Sequence, residues 1–113
     1  MIPTVGRIVH YRLSEQDAEQ INVRRSDFRA FEAGHKHPHE PGQPAASGHI
    51  GHVGNSASAG DIHPMIIVRV WGQTPDSAVN GQVLLDGNDT LWVTSVSRGD
   101  AERRWTWPER ADG

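Results

Sequence analysis

Residues 61–96 read DIHPMIIVRVWGQTPDSAVNGQVLLDGNDTLWVTSV, and this stretch decides the fold. It contains three runs rich in β-branched and aromatic residues, at Met65–Trp71, Val79–Leu85 and Thr90–Val96, separated by turn-forming residues. Asp86-Gly-Asn-Asp89 predicts a tight hairpin between the last two runs, because an Asp-Gly pair supplies the positive φ that such turns use. The stretch therefore predicts antiparallel β structure.

The segments on either side predict one further strand each and a single helix. Residues 6–13 alternate in the manner of a first strand, and residues 104–107 form a short closing strand. Ser14 is a favoured N-cap and opens a helix over residues 14–33, with Asp17 in the position of a shortened capping box. A mainly β chain with one N-terminal α-helix and five short strands predicts a small SH3-like or OB-like antiparallel barrel.

Length and composition predict a single domain over residues 1–113 with a modest core. The hydrophobic fraction is 35%, below the usual ~45–50%, so part of the chain lies outside the core or a second copy completes it. Residues 34–60 hold six glycines, three prolines and five of the seven histidines. We interpret them as a long loop that leaves the body and lies over a partner subunit. Residues 61–110 form the β-rich core.

Several classes of protein are excluded or disfavoured by composition. A net charge of −3 argues against a duplex nucleic-acid binder. The absence of cysteine excludes disulfides, thiol catalysis and cysteine-ligated zinc. No apolar run approaches the ~20 residues of a membrane span, and the first residues do not resemble a secretory signal, so we expect a cytoplasmic protein. Because no catalytic motif is visible, we expect no enzyme, no cofactor and no metal site.

Four tryptophans lie in the β-rich half and are the first candidates for ligand binding. They are Trp71, Trp92, Trp105 and Trp107. A flat indole beside an arginine holds a nucleobase by stacking and cation–π contact. For each tryptophan taken singly, packing in the core is the stronger interpretation.

Arginines make the prediction more specific, because ten of the eleven basic residues are arginine and arginine suits bidentate anion recognition. Codon bias from a GC-rich genome explains part of this excess. Arg69 lies in an apolar strand, so it should pair with an acid, a ligand or another subunit. Asn80 is a candidate for recognising a ligand edge, with Thr94 assisting. The predicted ligand-binding set is Arg69, Trp71, Asn80, Trp92, Thr94, Arg98, Arg103, Arg104, Trp105, Trp107 and Arg110.

A histidine-rich segment offers an alternative kind of site. His35, His37 and His39 alternate, so on an extended chain they point the same way, as metal ligands do. We favour a solvated loop that binds metal only adventitiously.

The order of several segments is similar to that of small proteins common in phages and prophages. These segments are GRIVHY at 6–11, DIHPMIIVRVW at 61–71, NGQVLLDG at 80–87, LWVTSV at 91–96 and WTWP at 105–108. They also resemble the first-described family of phage anti-Thoeris sponge proteins, over roughly 60 residues at the two ends of the chain. That resemblance carries no site residue onto this sequence.

The resemblance implies an anti-defence protein in the cytoplasm of an infected bacterium. It would bind a cyclic ADP-ribose-type immune signal without degrading it. Cyclic oligonucleotides of the CBASS type are further candidate ligands. Its partners would be a small nucleotide and further copies of itself, as a dimer or higher oligomer, and neither duplex nucleic acid nor a membrane. The alternatives are a phage structural or protein-interaction module and a metal-binding protein centred on the histidines.

Overall fold

The computed structural model describes residues 1–34 and 51–109. Its elements are β1 (Ile8–Arg12), α1 (Glu15–Gly34), β2 (Ile62–Val70), β3 (Val79–Leu84), β4 (Thr90–Val96) and β5 (Trp105–Thr106). The strands form one sheet in the order β4-β3-β2-β1-β5, and all neighbours are antiparallel. The prediction of a mainly β protein with one N-terminal helix is confirmed.

The predicted closure of this sheet into a barrel is wrong. β4 and β5 lie at opposite edges. In the described ranges, one isolated bridge, between Arg98 and Trp105, links the chain after β4 to β5. β5 has only two residues, which is too short for a second ladder. The core instead lies on one face of the sheet, where Ile21 of α1 belongs to the same buried cluster as the core-facing strand residues.

Local capping explains why α1 begins where it does. The Ser14 hydroxyl accepts a hydrogen bond from the Asp17 amide (3.1 Å), and the Asp17 carboxylate accepts one from the Ser14 amide (3.0 Å), which confirms the predicted capping box. Asp17 also accepts the Tyr11 hydroxyl at 2.5 Å, and both side chains are buried. Burial and this bond raise the pKa of Tyr11.

No helix in the described part of the chain is long and apolar enough to cross a membrane.

The core face of the sheet collects alternate residues from every strand. In the register, Met65 lies opposite both Val9 and Val83, so the three side chains share a face. Gly81 also lies on this face, because a Cβ there would come within 2.4 Å of Met65 Cγ. The fully or nearly fully buried apolar residues of the sheet are Val9, Tyr11, Met65, Ile67, Val79, Val83, Leu91, Val93, Val96 and Trp105.

Glycine is required in the β3–β4 hairpin for a reason other than the predicted one. The glycines with positive φ are Gly6 and Gly60 in the described chain, and Gly87 is not among them. A Cβ at Gly87 would lie 2.4 Å from the carbonyl oxygen of Val53. Close packing of another segment against the turn, rather than backbone conformation, therefore selects glycine there.

That packed segment belongs to the predicted glycine- and histidine-rich loop. Gly54 forms an isolated bridge with Gly87. The Asn22 side chain of α1 bonds both the amide and the carbonyl of Ala57, at 2.8 and 2.9 Å. The prediction that residues 34–60 leave the body is thus wrong for residues 51–60, which pack on their own chain. Residues 35–50 lie outside the described ranges.

Candidate ligand-binding site

No described helix or strand covers the sheet face opposite the core, called the open face below. Cross-strand partners point to the same face, so the register assigns its members. Its apolar side chains Ile8 and Trp92 are 53% and 63% exposed. Val68, which the β2–β3 register leaves unpaired, is 45% exposed. The face also carries His10, Ile66, Gln82, Leu84 and Thr94.

A β-bulge in β2 turns two predicted site residues onto the open face. The pairing of β2 with β3 shifts by one residue between Ile67 and Arg69. Without this shift, strict alternation from the buried Ile67 would point Arg69 and Trp71 into the core. With it, Val70 packs against the core and the two polar-tipped side chains are exposed. The bulge resolves the presence of an arginine in an otherwise apolar strand.

Arg69, Trp71 and Asn80 form one connected unit on this face. The Arg69 guanidinium carbon lies 4.0 Å from the centroid of the Trp71 ring, a stacked cation–π contact. The Trp71 indole nitrogen donates to Asn80 Oδ1 at 2.9 Å, which fixes the ring although half of it is exposed. No carboxylate of the described residues pairs with Arg69. The described partner of Arg69 is therefore an indole face, and no described residue accepts a hydrogen bond from the edge of its guanidinium.

A second irregularity, in β4, orients Asn80. The β3–β4 register shifts between Val79 and Gly81, and Ser95 has a φ of 52°. The Ser95 amide turns out of the ladder and donates to Asn80 Oδ1 at 2.8 Å. Because Oδ1 then accepts two hydrogen bonds, the amide group cannot be reversed, and no described residue accepts a hydrogen bond from its NH₂. Asn80 is nearly buried, so this donor is held rigidly.

Trp92 and Thr94 extend the same face along β4. Trp92 lies opposite Gln82, and Thr94 follows two residues later on the same side. Five of the predicted site residues thus share the open face: Arg69, Trp71, Asn80, Trp92 and Thr94.

The aromatic residues near the C-terminus are placed differently. Trp105 is fully buried, and its indole nitrogen donates to the Ser77 carbonyl at 3.2 Å. Trp107 packs edge-on against it at 5.5 Å and is covered by the guanidinium of Arg7 at 5.2 Å. The Trp107 indole nitrogen is buried without a partner in the described chain. This pair serves the core, the interpretation favoured for single tryptophans.

The described C-terminal arginines, Arg98, Arg103 and Arg104, do not join the open-face unit. Arg98 reaches the Pro75 carbonyl (3.4 Å) and the Asp76 carboxylate (3.5 Å). Arg103 has a φ of 59°, and its backbone amide bonds the Arg12 carbonyl. Arg104 is exposed beside Gly99. Arg110 lies outside the described residues.

A buried ion pair between α1 and the β3–β4 hairpin was not predicted from the sequence. Arg25 donates to both carboxylate oxygens of Asp89, at 2.8 and 2.9 Å, and their side chains are 2% and 6% exposed. Arg24 and His52 also contact this carboxylate, at 3.3 and 3.2 Å. Burial by itself raises the pKa of Asp89, but the hydrogen bonds and charges of the two arginines outweigh it and hold the pKa below its ordinary value. No local pattern in the sequence indicates this pair.

Among the described residues, no three histidine, aspartate or glutamate side chains converge as metal ligands. Of the described acidic residues, His52 contacts Asp89 alone. The predicted ligand candidates His35, His37 and His39 lie outside the described ranges, so that alternative stays a prediction.

Chemically, the open face offers flat aromatic surfaces beside fixed hydrogen-bond donors. Trp71 and Trp92 supply the surfaces, and Arg69 and the Asn80 amide supply the donors. Such a face complements a planar ligand rich in acceptors or negative charge. A scan against protein-family models and searches of curated proteins and solved structures found no match to this chain.

Proposed function

We propose that the protein binds a nucleotide-type ligand on its open face, centred on Arg69, Trp71 and Asn80. The observation that carries this proposal is the exposed Trp71 ring, fixed by a 2.9 Å hydrogen bond and stacked with an arginine that has no described acidic partner. An immobilised indole has little rotational freedom left to lose when a base stacks on it. The conformational entropy of the Trp71 side chain is therefore lost on folding and not on ligand binding.

Each group of the unit has a distinct role in this proposal. The ligand base stacks on the exposed indole surface of Trp71. Arg69 keeps its planar edge of N–H donors for a phosphate, because stacking uses the face of the guanidinium and not its edge. The Asn80 NH₂ donates to a base or ribose acceptor. Trp92 provides a second stacking surface further along the open face.

The specific role proposed is sequestration of a cyclic ADP-ribose-type signal by a phage anti-defence protein. An adenine base and a pyrophosphate match a stacking surface flanked by donors. A sequestering protein acts by slow release of the intact ligand, which depends on the dissociation rate and needs no catalytic group. The family resemblance of the terminal segments supports this choice among nucleotide ligands.

Calorimetry with glyco-cyclic ADP-ribose and a panel of cyclic nucleotides tests the proposal. Trp71→Ala should weaken binding about 5- to 150-fold, equivalent to ~1–3 kcal/mol of stacking per base. Arg69→Gln should weaken it by a similar factor, because a hydrogen bond to a charged group contributes ~1.5–3 kcal/mol. Arg7→Gln is the matched control, because Arg7 lies over Trp107 as Arg69 lies over Trp71, but away from the open face. Absence of binding at micromolar protein, or equal affinity in all three variants, would overturn the proposal.

A second candidate, a phage structural or protein-interaction module, is favoured by the apolar character of the open face. Ile8, Val68 and Trp92 are each about half exposed or more, and contiguous exposed apolar surface marks protein interfaces. Finding the protein in purified virus particles would favour this role. Finding its gene among early genes would favour signal sequestration.

A further inference from the structure

We propose that two copies of this chain join through the outer edge of β4, antiparallel, to form one continuous sheet. β4 is the last strand at its edge of the sheet. The Leu85 amide donates to the Asp89 carbonyl, so Leu85 and Asp89 form a hydrogen-bonded pair between β3 and β4. Hydrogen-bonded pairs recur at every second residue of an antiparallel ladder. The backbone groups of Leu91 and Val93 therefore also point towards β3. Those of Thr90, Trp92 and Thr94 therefore point outward.

The outward direction has independent support from α1. The Arg24 guanidinium donates to the Thr90 carbonyl at 2.9 Å, which places that oxygen on the outer side of β4. In the described chain, no backbone or side-chain group bonds the outward amides and carbonyls of Trp92 and Thr94. Among the described residues, the central part of this edge therefore has no neighbouring strand and can accept one.

The central part of β4 carries few of the devices by which proteins protect an edge strand. Its sequence, TLWVTSV, contains no charge, no proline and no glycine. The backbone irregularity lies beyond it at Ser95, and Arg24 reaches only the Thr90 carbonyl. Uncharged edges of this kind pair readily with other strands. The opposite edge is different. β5 has two residues, its outer side is bridged to Arg98, and Pro108 follows shortly after. One long edge of the sheet is thus left available.

A second copy fits this edge because β4 is complementary to itself. With a two-fold axis at Trp92, its amide and carbonyl bond the same groups of Trp92 in the second copy, and Thr90 lies opposite Thr94. The Thr90 carbonyl accepts from Arg24 through one lone pair and has a second for the Thr94 amide. No like charges meet within the paired strands, since TLWVTSV has none. The two Trp92 rings, each 63% exposed in the single chain, become cross-strand neighbours on a shared open face. A peptide from another protein would need a complementary sequence, which nothing in the fold specifies.

Sedimentation and native mass spectrometry of the full chain without ligand test this pairing, independently of nucleotide binding. The wild type should be a dimer. Thr94→Pro removes an outward donor without removing a bond to β3, and Trp92→Lys adds a charge at the two-fold axis, so both should yield monomers. Gln82→Lys is the control: it lies on the open face but on the inner strand β3, so it should remain dimeric.

Amide hydrogen exchange of the wild type provides a readout that needs no variant. The Trp92 and Thr94 amides should exchange roughly 100-fold slower in concentrated than in dilute protein, because only pairing gives them an acceptor. A monomeric wild type, a dimer that survives both edge variants, or a dimer broken by Gln82→Lys would overturn the proposal. Fast exchange of these two amides at high protein concentration would also overturn it. The same holds if exchange slows only when a peptide of another sequence is added.

Discussion

Replacing Asp89 with asparagine should remove a large part of the stability of this protein. The change leaves Arg25, whose side chain is 2% exposed, as an uncompensated buried charge. Breaking a buried pair from one side costs about 3–5 kcal/mol. Asparagine keeps one acceptor oxygen, and Arg24 is already partly hydrated, with its side chain 29% exposed, so we expect a loss of about 3 kcal/mol, near the lower end. A typical domain has only about 5–15 kcal/mol in total.

Urea unfolding followed by circular dichroism measures this loss as a lower midpoint at constant slope. Asp86→Asn is the matched control in the same hairpin. Asp86 is exposed and accepts one surface hydrogen bond, from Asn55, so its loss should stay within about 0.5 kcal/mol. Similar losses in the two variants would show that the buried pair does not stabilise the fold as argued.

The same pair predicts an acid dependence. The pKa of Asp89 is lowered in the fold, so its contribution is complete above the ordinary carboxyl pKa of about 3.9 and declines as pH falls through the lower folded value. The stability difference between the wild type and Asp89→Asn should therefore shrink below about pH 4. A difference that is the same at neutral and at acid pH contradicts this cause.

Further substitutions test the helix start and the hairpin. Tyr11→Phe should cost about 1–3 kcal/mol in urea unfolding, because the buried Asp17 carboxylate loses a donor. The raised pKa of Tyr11 keeps its phenol neutral in the fold while the unfolded chain ionises, so wild-type stability should fall above about pH 10, more steeply than in Tyr11→Phe; parallel curves would contradict this. Gly87→Ala should cost about 1–3 kcal/mol through its backbone clash. Gly99→Ala should be nearly neutral, because the atoms nearest to its Cβ belong to the flexible Arg104 side chain, at 3.4 Å or more. Equal losses in the two variants would refute the packing argument.

Local signals in the sequence predicted most elements of the fold. β4 spans Thr90–Val96 as predicted, because β-branched residues are bounded by turn formers on one side. The helix start was also predictable, since Ser14 and Asp17 cap each other within a single turn. Such signals need no knowledge of the rest of the chain.

Features that depend on distant partners could not be predicted. The β2 bulge that exposes Trp71 lies in a run that is apolar on both faces, so periodicity leaves its register undetermined. Arg25 and Asp89 are 64 positions apart, and only the docking of α1 on the hairpin joins them. The predicted barrel does not close because β5 has only two residues. Strand propensity in the sequence does not determine where so short a strand begins and ends.

Because the four tryptophans are unequally buried, intrinsic tryptophan fluorescence can report on both binding and unfolding. Trp71 and Trp92 meet solvent, whereas Trp105 is sealed in the core. A dissolved quencher such as iodide quenches the fluorescence of Trp71 and Trp92 in the folded protein. It quenches the fluorescence of Trp105 only after unfolding. A ligand or a second chain on the sheet would shield the accessible fraction while leaving the blue-shifted buried signal unchanged. Occupancy and unfolding can thus be followed separately in one unlabelled sample.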